Sequence, residues 1–324
     1  MDTIDKAILN ALQFDFPLVQ RPFLSIAETI GIAERDVLSR IGELKRKKIV
    51  RQISAIFDSS KIGYRGVLVA FRVPGRRLHA VALQVNAHPG VSHNYVRKNA
   101  FNLWFTLTVP LETDLKQEAA AMAAHAGIKE WLFLPTIRKF KISFQLDMNG
   151  MKREAGPQPH SRVTSRSPAV DRDFVRELQK DLLLASRPFL PAARALGWTE
   201  EKVIRVLKRY VKHGAVRRVA SVLRPVNAGF PANVLVVWAP DNKSIDRLGR
   251  VAAAHKNVSH CYERPADPGA NWPFSVYTMI HGHSAAECVR VIHSISRESG
   301  VTAYRELKTV KEYKKVRMEY FLAR

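Results

Sequence analysis

Arg21-Pro22-Phe23-Leu24 returns as Arg187-Pro188-Phe189-Leu190, 166 positions further along a chain of 324 residues. The same offset joins Leu12-Gln13 to Leu178-Gln179, Gly31 to Gly197, Val50-Arg51 to Val216-Arg217 and Gly63 to Gly229. Val91-Ser92-His93 then returns as Val258-Ser259-His260 at an offset of 167, one residue having been inserted. An offset kept over so long a run marks a tandem duplication. Between the copies, Met148 to Val170 is rich in Pro, Gly, Ser, Arg and Lys and has no periodicity, which is linker composition.

Each copy divides in two. Ile4, Ile8, Leu9 and Leu12 fall on one helix face, Phe23 to Ile30 gives a second helix stopped at Gly31, and Val37, Leu38, Ile41 and Leu44 mark a third. Ile49 to Asp58 reads as a short hairpin, completing a winged helix-turn-helix. Beyond it the period changes. Val67–Phe71 reads as a strand, Leu78–Ala87 as a helix, Val91–Arg97 and Asn102–Val109 as strands, Leu111–Ala126 as an Ala-rich helix, and Trp131–Phe144 ends in a strand. In copy two the strands fall near 233–239, 258–264, 273–281 and 301–321. The order βαββαβ is ferredoxin-like. The expected organisation is α+β: winged helix-turn-helix 1–60, ferredoxin-like 61–147, linker 148–170, winged helix-turn-helix 171–226 and ferredoxin-like 227–324, the copies packing as a pseudo-dimer.

Composition narrows the function. The net charge is +23, and +8 of it lies in residues 1–150 and +15 in 151–324, so both halves attract polyanions, whether nucleic acid or a polycarboxylate. No run approaches the roughly 20 apolar residues of a membrane helix. The N-terminus carries no visible secretory signal, and Cys261 and Cys288 lack metal-ligand spacing. A cytoplasmic protein is expected.

A winged helix followed by βαββαβ resembles the Lrp/AsnC-like regulators. Two motifs are similar to one branch of them: Phe16-Pro17-Leu18 with Arg21-Pro22-Phe23 and Ile26-Ala27, and Pro89-Gly90-Val91-Ser92-His93-Asn94-Tyr95-Val96-Arg97 followed by Asn102-Leu103-Trp104-Phe105-Thr106. That branch is the siroheme decarboxylases of heme d1 and alternative heme biosynthesis, whose two related subunits are often separate chains. Copy two departs from the pattern, reading His260-Cys261-Tyr262-Glu263-Arg264 and Asn271-Trp272-Pro273-Phe274. The resemblance implies decarboxylation of the C12 and C18 acetates of siroheme to methyls. It implies no cofactor beyond the iron that siroheme carries, and no metal site. The implied partners are siroheme and its products. No specific nucleic acid and no membrane are expected, while a second copy of the chain and other heme d1 biosynthesis proteins are candidates.

Strand alternation puts His93, Tyr95 and Arg97 on one face and Asn94 on the other, and it repeats for His260, Tyr262 and Arg264. His93 and His260 are the catalytic candidates, as proton donors or as iron ligands. Asn94, Tyr95, Arg97, Tyr262 and Arg264 are the substrate-binding candidates, since a guanidinium fork matches a carboxylate and a phenol can stack or hydrogen-bond. Arg138, Lys139 and Lys141, with Lys311, Lys314 and Lys315, could hold outer carboxylates or form a solvated basic edge. His281 and His283 read as surface histidines, Trp104 and Trp272 as core, and Arg21 and Arg187 as braces. Two other functions fit the charge: a DNA-binding regulator and a tetrapyrrole carrier without turnover. Against the regulator, both third helices open with acids, Glu34 and Asp36 in one and Glu200 and Glu201 in the other.

Overall fold

The structure, a computed structural model, describes residues 1–142, 170–223 and 231–322. The linker expected at 148–170 lies outside the described residues except for Val170, as do the 226/227 boundary and Gly229.

Copy one runs α1 (Thr3–Phe14), α2 (Pro22–Ile30), α3 (Glu34–Arg46), β1 (Val50–Phe57), β2 (Tyr64–Phe71), α4 (Leu78–Ala87), β3 (Val91–Arg97), β4 (Leu103–Pro110), α5 (Leu115–His125), β5 (Trp131–Pro135) and β6 (Arg138–Ile142). Copy two repeats the order as α6 (Arg172–Leu178), α7 (Leu190–Leu196), α8 (Glu200–Lys212), β7 (Val216–Leu223), β8 (Ala232–Trp238), α9 (Ile245–Ala254), β9 (Val258–Glu263), β10 (Val276–Gly282), α10 (Ala285–Ser299), β11 (Tyr304–Leu307) and β12 (Thr309–Lys315).

The duplicated Arg-Pro-Phe-Leu motif does the same work twice. Pro22 opens α2, where a missing N–H costs nothing, whereas its counterpart Pro188 lies two residues ahead of α7, whose own first turn holds Pro191. Phe23 and Phe189 are fully buried. Arg21 reaches Glu34 at 2.5 Å and Arg187 reaches Glu200 at 2.5 Å, so each arginine ties its helix entry to an acid at the head of the next helix. Gly31 and Gly197 end α2 and α7 with φ of 80° and 63°, a left-handed cap that other residues resist.

The hairpin expected at Ile49–Asp58 does not form. Val50–Phe57 is one uninterrupted strand, and it contains no Gly, Pro, Asn or Asp on which to turn. It pairs antiparallel with β7, Ala55 opposite Val219, so the two helix-turn-helix units share a two-stranded ribbon. Their helices merge into a single core that includes Ile8, Leu12 and Ile41 from copy one and Phe174, Val203 and Leu207 from copy two.

The ferredoxin-like units form two five-stranded sheets, ordered β12-β3-β4-β2-β5 and β11-β8-β10-β9-β6. The single last strand expected in each copy is split. β5 and β11 stay at home beside β2 and β8, whereas β6 crosses to pair with β9 and β12 crosses to pair with β3. Each copy therefore completes the other's sheet, which is the expected pseudo-dimer in a more interlocked form. A shared core closes one end of the assembly, where Trp104 and Trp272, both about 1% exposed, lie 5.5 Å apart between centroids with Phe101, Phe274 and Tyr277 around them.

The crossing of β6 depends on a missing side chain. A Cβ built on Gly249 of α9 would stand 2.4 Å from ring carbons of Phe140, which β6 brings from the other copy. Elsewhere in a helix, Gly→Ala stabilises by about 1 kcal/mol. Here Gly249→Ala is expected to destabilise instead, by about 1–3 kcal/mol from overpacking. Denaturant titration of Gly249→Ala and of Gly249→Ala/Phe140→Ala checks this; the double variant should tolerate the methyl that the single one does not.

Candidate active site

β3 and β9 lie inside their sheets, flanked by β4 and β10 on one side and by the exchanged strands on the other. Alternation then sorts their side chains. The Asn94 side chain turns to the helical layer, is fully buried, and donates to Ala82 O at 3.1 Å and Asn86 Oδ1 at 2.9 Å on α4. It does not share the face of His93, so its assignment to substrate binding gives way to a role in docking α4. Cys261 takes the equivalent place, its thiol 3.9 Å from Gly249 O on α9. On the opposite faces the histidine and tyrosine rings tilt side by side, 6.2 Å apart for His93–Tyr95 and 5.9 Å for His260–Tyr262.

The arginines are turned to a different task from the one expected. Arg97 donates to Leu307 O at 2.9 Å and Thr309 Oγ1 at 3.1 Å, and Arg264 donates to Leu134 O at 2.5 Å. Both acceptor segments belong to the other copy, where its chain passes from the home sheet to the exchanged strand. Each guanidinium also stacks on its tyrosine, at 5.2 Å from Tyr95 and 5.1 Å from Tyr262. Both arginines are under a tenth exposed, and burial lowers both pKa values. They clamp the exchange, and Arg264 also lines a cavity that Arg97 does not reach.

That cavity measures about 1590 Å³. Copy one's sheet supplies Leu68, Thr106, Thr108 and Phe133 to one wall, and copy two supplies His260, Tyr262 and Arg264 to the other. Lys139 of β6, opposite Tyr262 in the ladder, and Arg217 of β7 extend the second wall, while Phe321 and Leu322 come from the chain's end. Eight cations line the cavity against two carboxylates, Glu112 and Asp114. The copy-two counterpart of the rim formed by Ser59–Gly66 is residues 225–232, largely outside the described residues, and His93, Tyr95 and Arg97 do not line this cavity.

Among the basic-edge candidates the cavity selects Lys139. A ladder irregularity between Lys139 and Lys141 breaks their alternation. Lys141 donates to His255 O instead, and Arg138 is bound by Asp246 and Glu263. Lys314 donates to Asn86 O, Lys311 lies over Tyr313, and Lys315 pairs with Glu312. Sequence reading considered Arg217 only as a phosphate contact of the DNA-binding alternative and not for this site; its partner Asp58 sits 2.9 Å away, and burial raises the Asp58 pKa, but Arg217 and Ser60 outweigh it and hold the carboxyl below its usual range. It also misplaced His281, which is 9% exposed on the central strand β10, with Nε2 3.0 Å from Ser259 Oγ. His283 is exposed as expected.

Burial holds the site's imidazoles neutral. His260 is lowered to about 3 by desolvation, then by His281, Arg217, His93 and Arg264; His93 is lowered to about 4 by desolvation, Lys315 and Arg51. His281 is lowered to about 4 by desolvation and Lys315. Above the ordinary value of 6.5 neither the folded nor the unfolded chain protonates these rings, so they leave stability independent of pH. Below it the unfolded chain takes protons that the folded one refuses, and stability falls from about pH 6.5 downward until the folded values are reached. The expected outcome is a lower urea midpoint at about pH 5 than at pH 7, with the difference reduced in His93→Gln/His281→Gln, measured by tryptophan fluorescence.

Comparison with known proteins agrees with this architecture. Residues 61–141 and 227–314 match the AsnC-like ligand binding domain, and residues 5–51 and 171–217 match the siroheme decarboxylase NirDL-like HTH domain. The chain is 37% identical to a siroheme decarboxylase of Hydrogenobacter thermophilus over 97% of its own length and 94% of that protein's. It is 32% identical to a siroheme decarboxylase NirDL subunit of Paracoccus pantotrophus, covering 90% and 89% of the two chains. The crystal structure of the siroheme decarboxylase NirDL superposes with a TM-score of 0.76 at 34% identity, over 99% of this chain and 95% of that one; a second, in co-complex with an iron-uroporphyrin III analogue, does so at 0.75 and 33%. With both domain types matched twice and relatives above 30% identity along nearly its whole length, the chain belongs to the siroheme decarboxylase family.

Proposed function

We propose that the cavity between the two sheets holds siroheme while its C12 and C18 acetates lose CO2, giving 12,18-didecarboxysiroheme. The carrying observation is the cavity itself: about 1590 Å³, beyond the usual range for small ligands, with eight cations against two carboxylates and a half-buried histidine on its wall. Siroheme is an apolar macrocycle ringed by eight carboxylates, and such a ligand matches both the charge and the aromatic and aliphatic wall of Leu68 and Phe133. The chain is then a carboxy-lyase working in the cytoplasm for heme d1 or alternative heme synthesis. The only metal in its chemistry is the iron of the substrate. Among the described residues no helix is long and apolar enough to cross a membrane.

The reaction is redox-neutral. The bond between the acetate methylene and its carboxylate breaks, CO2 leaves, the electron pair passes to the macrocycle, and one proton completes the methyl group. Lys139 and Arg217 bind outer carboxylates, and Tyr262 supports the ring. His260 supplies the proton from Nε2. His260 is held neutral by desolvation, then by the cations around it. An entering polycarboxylate answers those cations and favours the imidazolium, so the acid is loaded by the substrate that needs it.

The helix-turn-helix units act as structure in this reading. Glu34 and Glu200 occupy the heads of α3 and α8, and β1 and β7, where wings would project, pair with one another. Neither feature offers itself to a phosphate backbone.

Anaerobic single-turnover assays with siroheme, resolved by mass into mono- and didecarboxylated products, test the roles. His260→Ala is expected to lower the rate by about 10²–10⁴, the usual worth of a general acid. His93→Ala, off the cavity wall, should cost less and change the product ratio differently. Lys139→Ala should raise KM about tenfold while kcat holds, as loss of one charged contact does. Unchanged siroheme recovered from the wild-type protein would leave a carrier rather than an enzyme.

A further inference from the structure

Ser259 stands between two histidines, His281 buried and His260 half-buried on the cavity wall. Its Oγ is 2.8 Å from His260 Nδ1 and 3.0 Å from His281 Nε2, with the Met279 carbonyl at 3.3 Å. Ser259 is 5% exposed. His281 is absent from the cavity wall and meets the site through that hydroxyl. The backbone of His281 is fixed at its strand end, its N–H donating to Asn257 O at 2.8 Å and its carbonyl accepting from Asn257 Nδ2 at 2.9 Å. Asn257 is held in turn by Glu287 at 2.9 Å.

Copy one builds the same place differently. Ser92 Oγ lies 2.9 Å from His93 Nδ1, but its next partner is the Thr106 hydroxyl, also at 2.9 Å. The ladder sets Thr106 opposite His93 and Met279 opposite His260, so copy two has a thioether where copy one has a hydroxyl. His281, two residues further on, takes over the contact.

We propose that His281 is a positioning residue for His260, acting through the Ser259 hydroxyl; the proposal rests on the reading of His260 as proton donor. His281 Nε2 accepts the Ser259 O–H. The serine oxygen is then left to accept from His260 Nδ1–H, whether the ring is neutral or charged. Nδ1 keeps its hydrogen throughout, and Nε2 becomes the one atom that gains and loses a proton, on the side of the cavity. The chain of two hydrogen bonds is buried, where each strengthens the other. A threonine hydroxyl turns freely and fixes no such direction, so the device belongs to copy two.

The test compares His281→Phe, His281→Gln, Ser259→Ala and His260→Ala in the full chain. Single-turnover rate, KM for siroheme, affinity for iron-uroporphyrin and thermal midpoint are measured for each. His281→Phe and Ser259→Ala should each lower kcat by about 10- to 100-fold, the scale seen when a group orienting a reactive imidazole is lost. KM and iron-uroporphyrin affinity should stay at wild-type values. His281→Gln, whose amide oxygen can accept the same hydroxyl, should recover most of the rate. A wild-type rate in His281→Phe, with His260→Ala inactive, overturns the positioning role and leaves the donor reading intact. Equal losses in His281→Phe and His281→Gln, accompanied by weaker binding and lower thermal midpoints, also overturn it, since the effect is then one of packing. A wild-type rate in His260→Ala overturns the donor reading itself.

Discussion

Strand exchange governs this molecule. Neither five-stranded sheet is complete without the other copy, because β12 closes the sheet of copy one and β6 closes that of copy two. Arg97 and Arg264 fasten the two crossings by donating into the segments at which the other copy's chain changes sheets. A guanidinium can do this while buried because its Nη1 finds a carbonyl and its charge finds a tyrosine face. The cavity follows from the same exchange. Lys139 stands beside Tyr262 only because β6 has left its own sheet, so the wall facing the substrate is already a mixture of both copies.

Most of this architecture was legible in the sequence because duplication is a long-range signal that survives local ambiguity. Arg-Pro-Phe-Leu, Gly31 with Gly197, and Val-Ser-His fixed the repeat, and the apolar spacing placed helices and strands close to where they lie. The failures share a cause. Val50–Phe57 was read as a hairpin because its true partner is about 166 residues away, and a window of local pattern holds no trace of it. Trp131–Phe144 and 301–321 were each read as one strand because the switch between sheets takes only a few residues.

The site was half legible for a related reason. Alternation along β3 and β9 correctly separated His, Tyr and Arg from Asn94 and Cys261. It could not tell which face meets a cavity and which meets a carbonyl, so Arg97 was read as a carboxylate ligand, whereas its Nη1 donates to the other copy at Leu307 O and Thr309 Oγ1. Lys139 was lost among its basic neighbours because a ladder irregularity, invisible in sequence, decides which lysine turns inward. The offset between copies is 167 at Tyr95 and Tyr262 and 173 at their ladder partners Trp104 and Tyr277, reflecting the loop around Pro265–Asn271. That longer loop hid the correspondence of Thr106 with Met279, and with it the burial of His281, which read as a surface residue.

The exchange also sets a timetable. A ribosome releases the chain from its N-terminus, and copy one emerges with β2, β3, β4 and β5 in hand but with one side of β3 open. The strand that covers it, Thr309–Lys315, follows every other element of copy two along the chain. Until then β3 offers unpaired backbone groups to any extended segment nearby, its own unpaired β6 included. Splitting such a protein into two chains would let each half wait for a partner by diffusion; fusing them makes the wait as long as the synthesis of copy two and no longer.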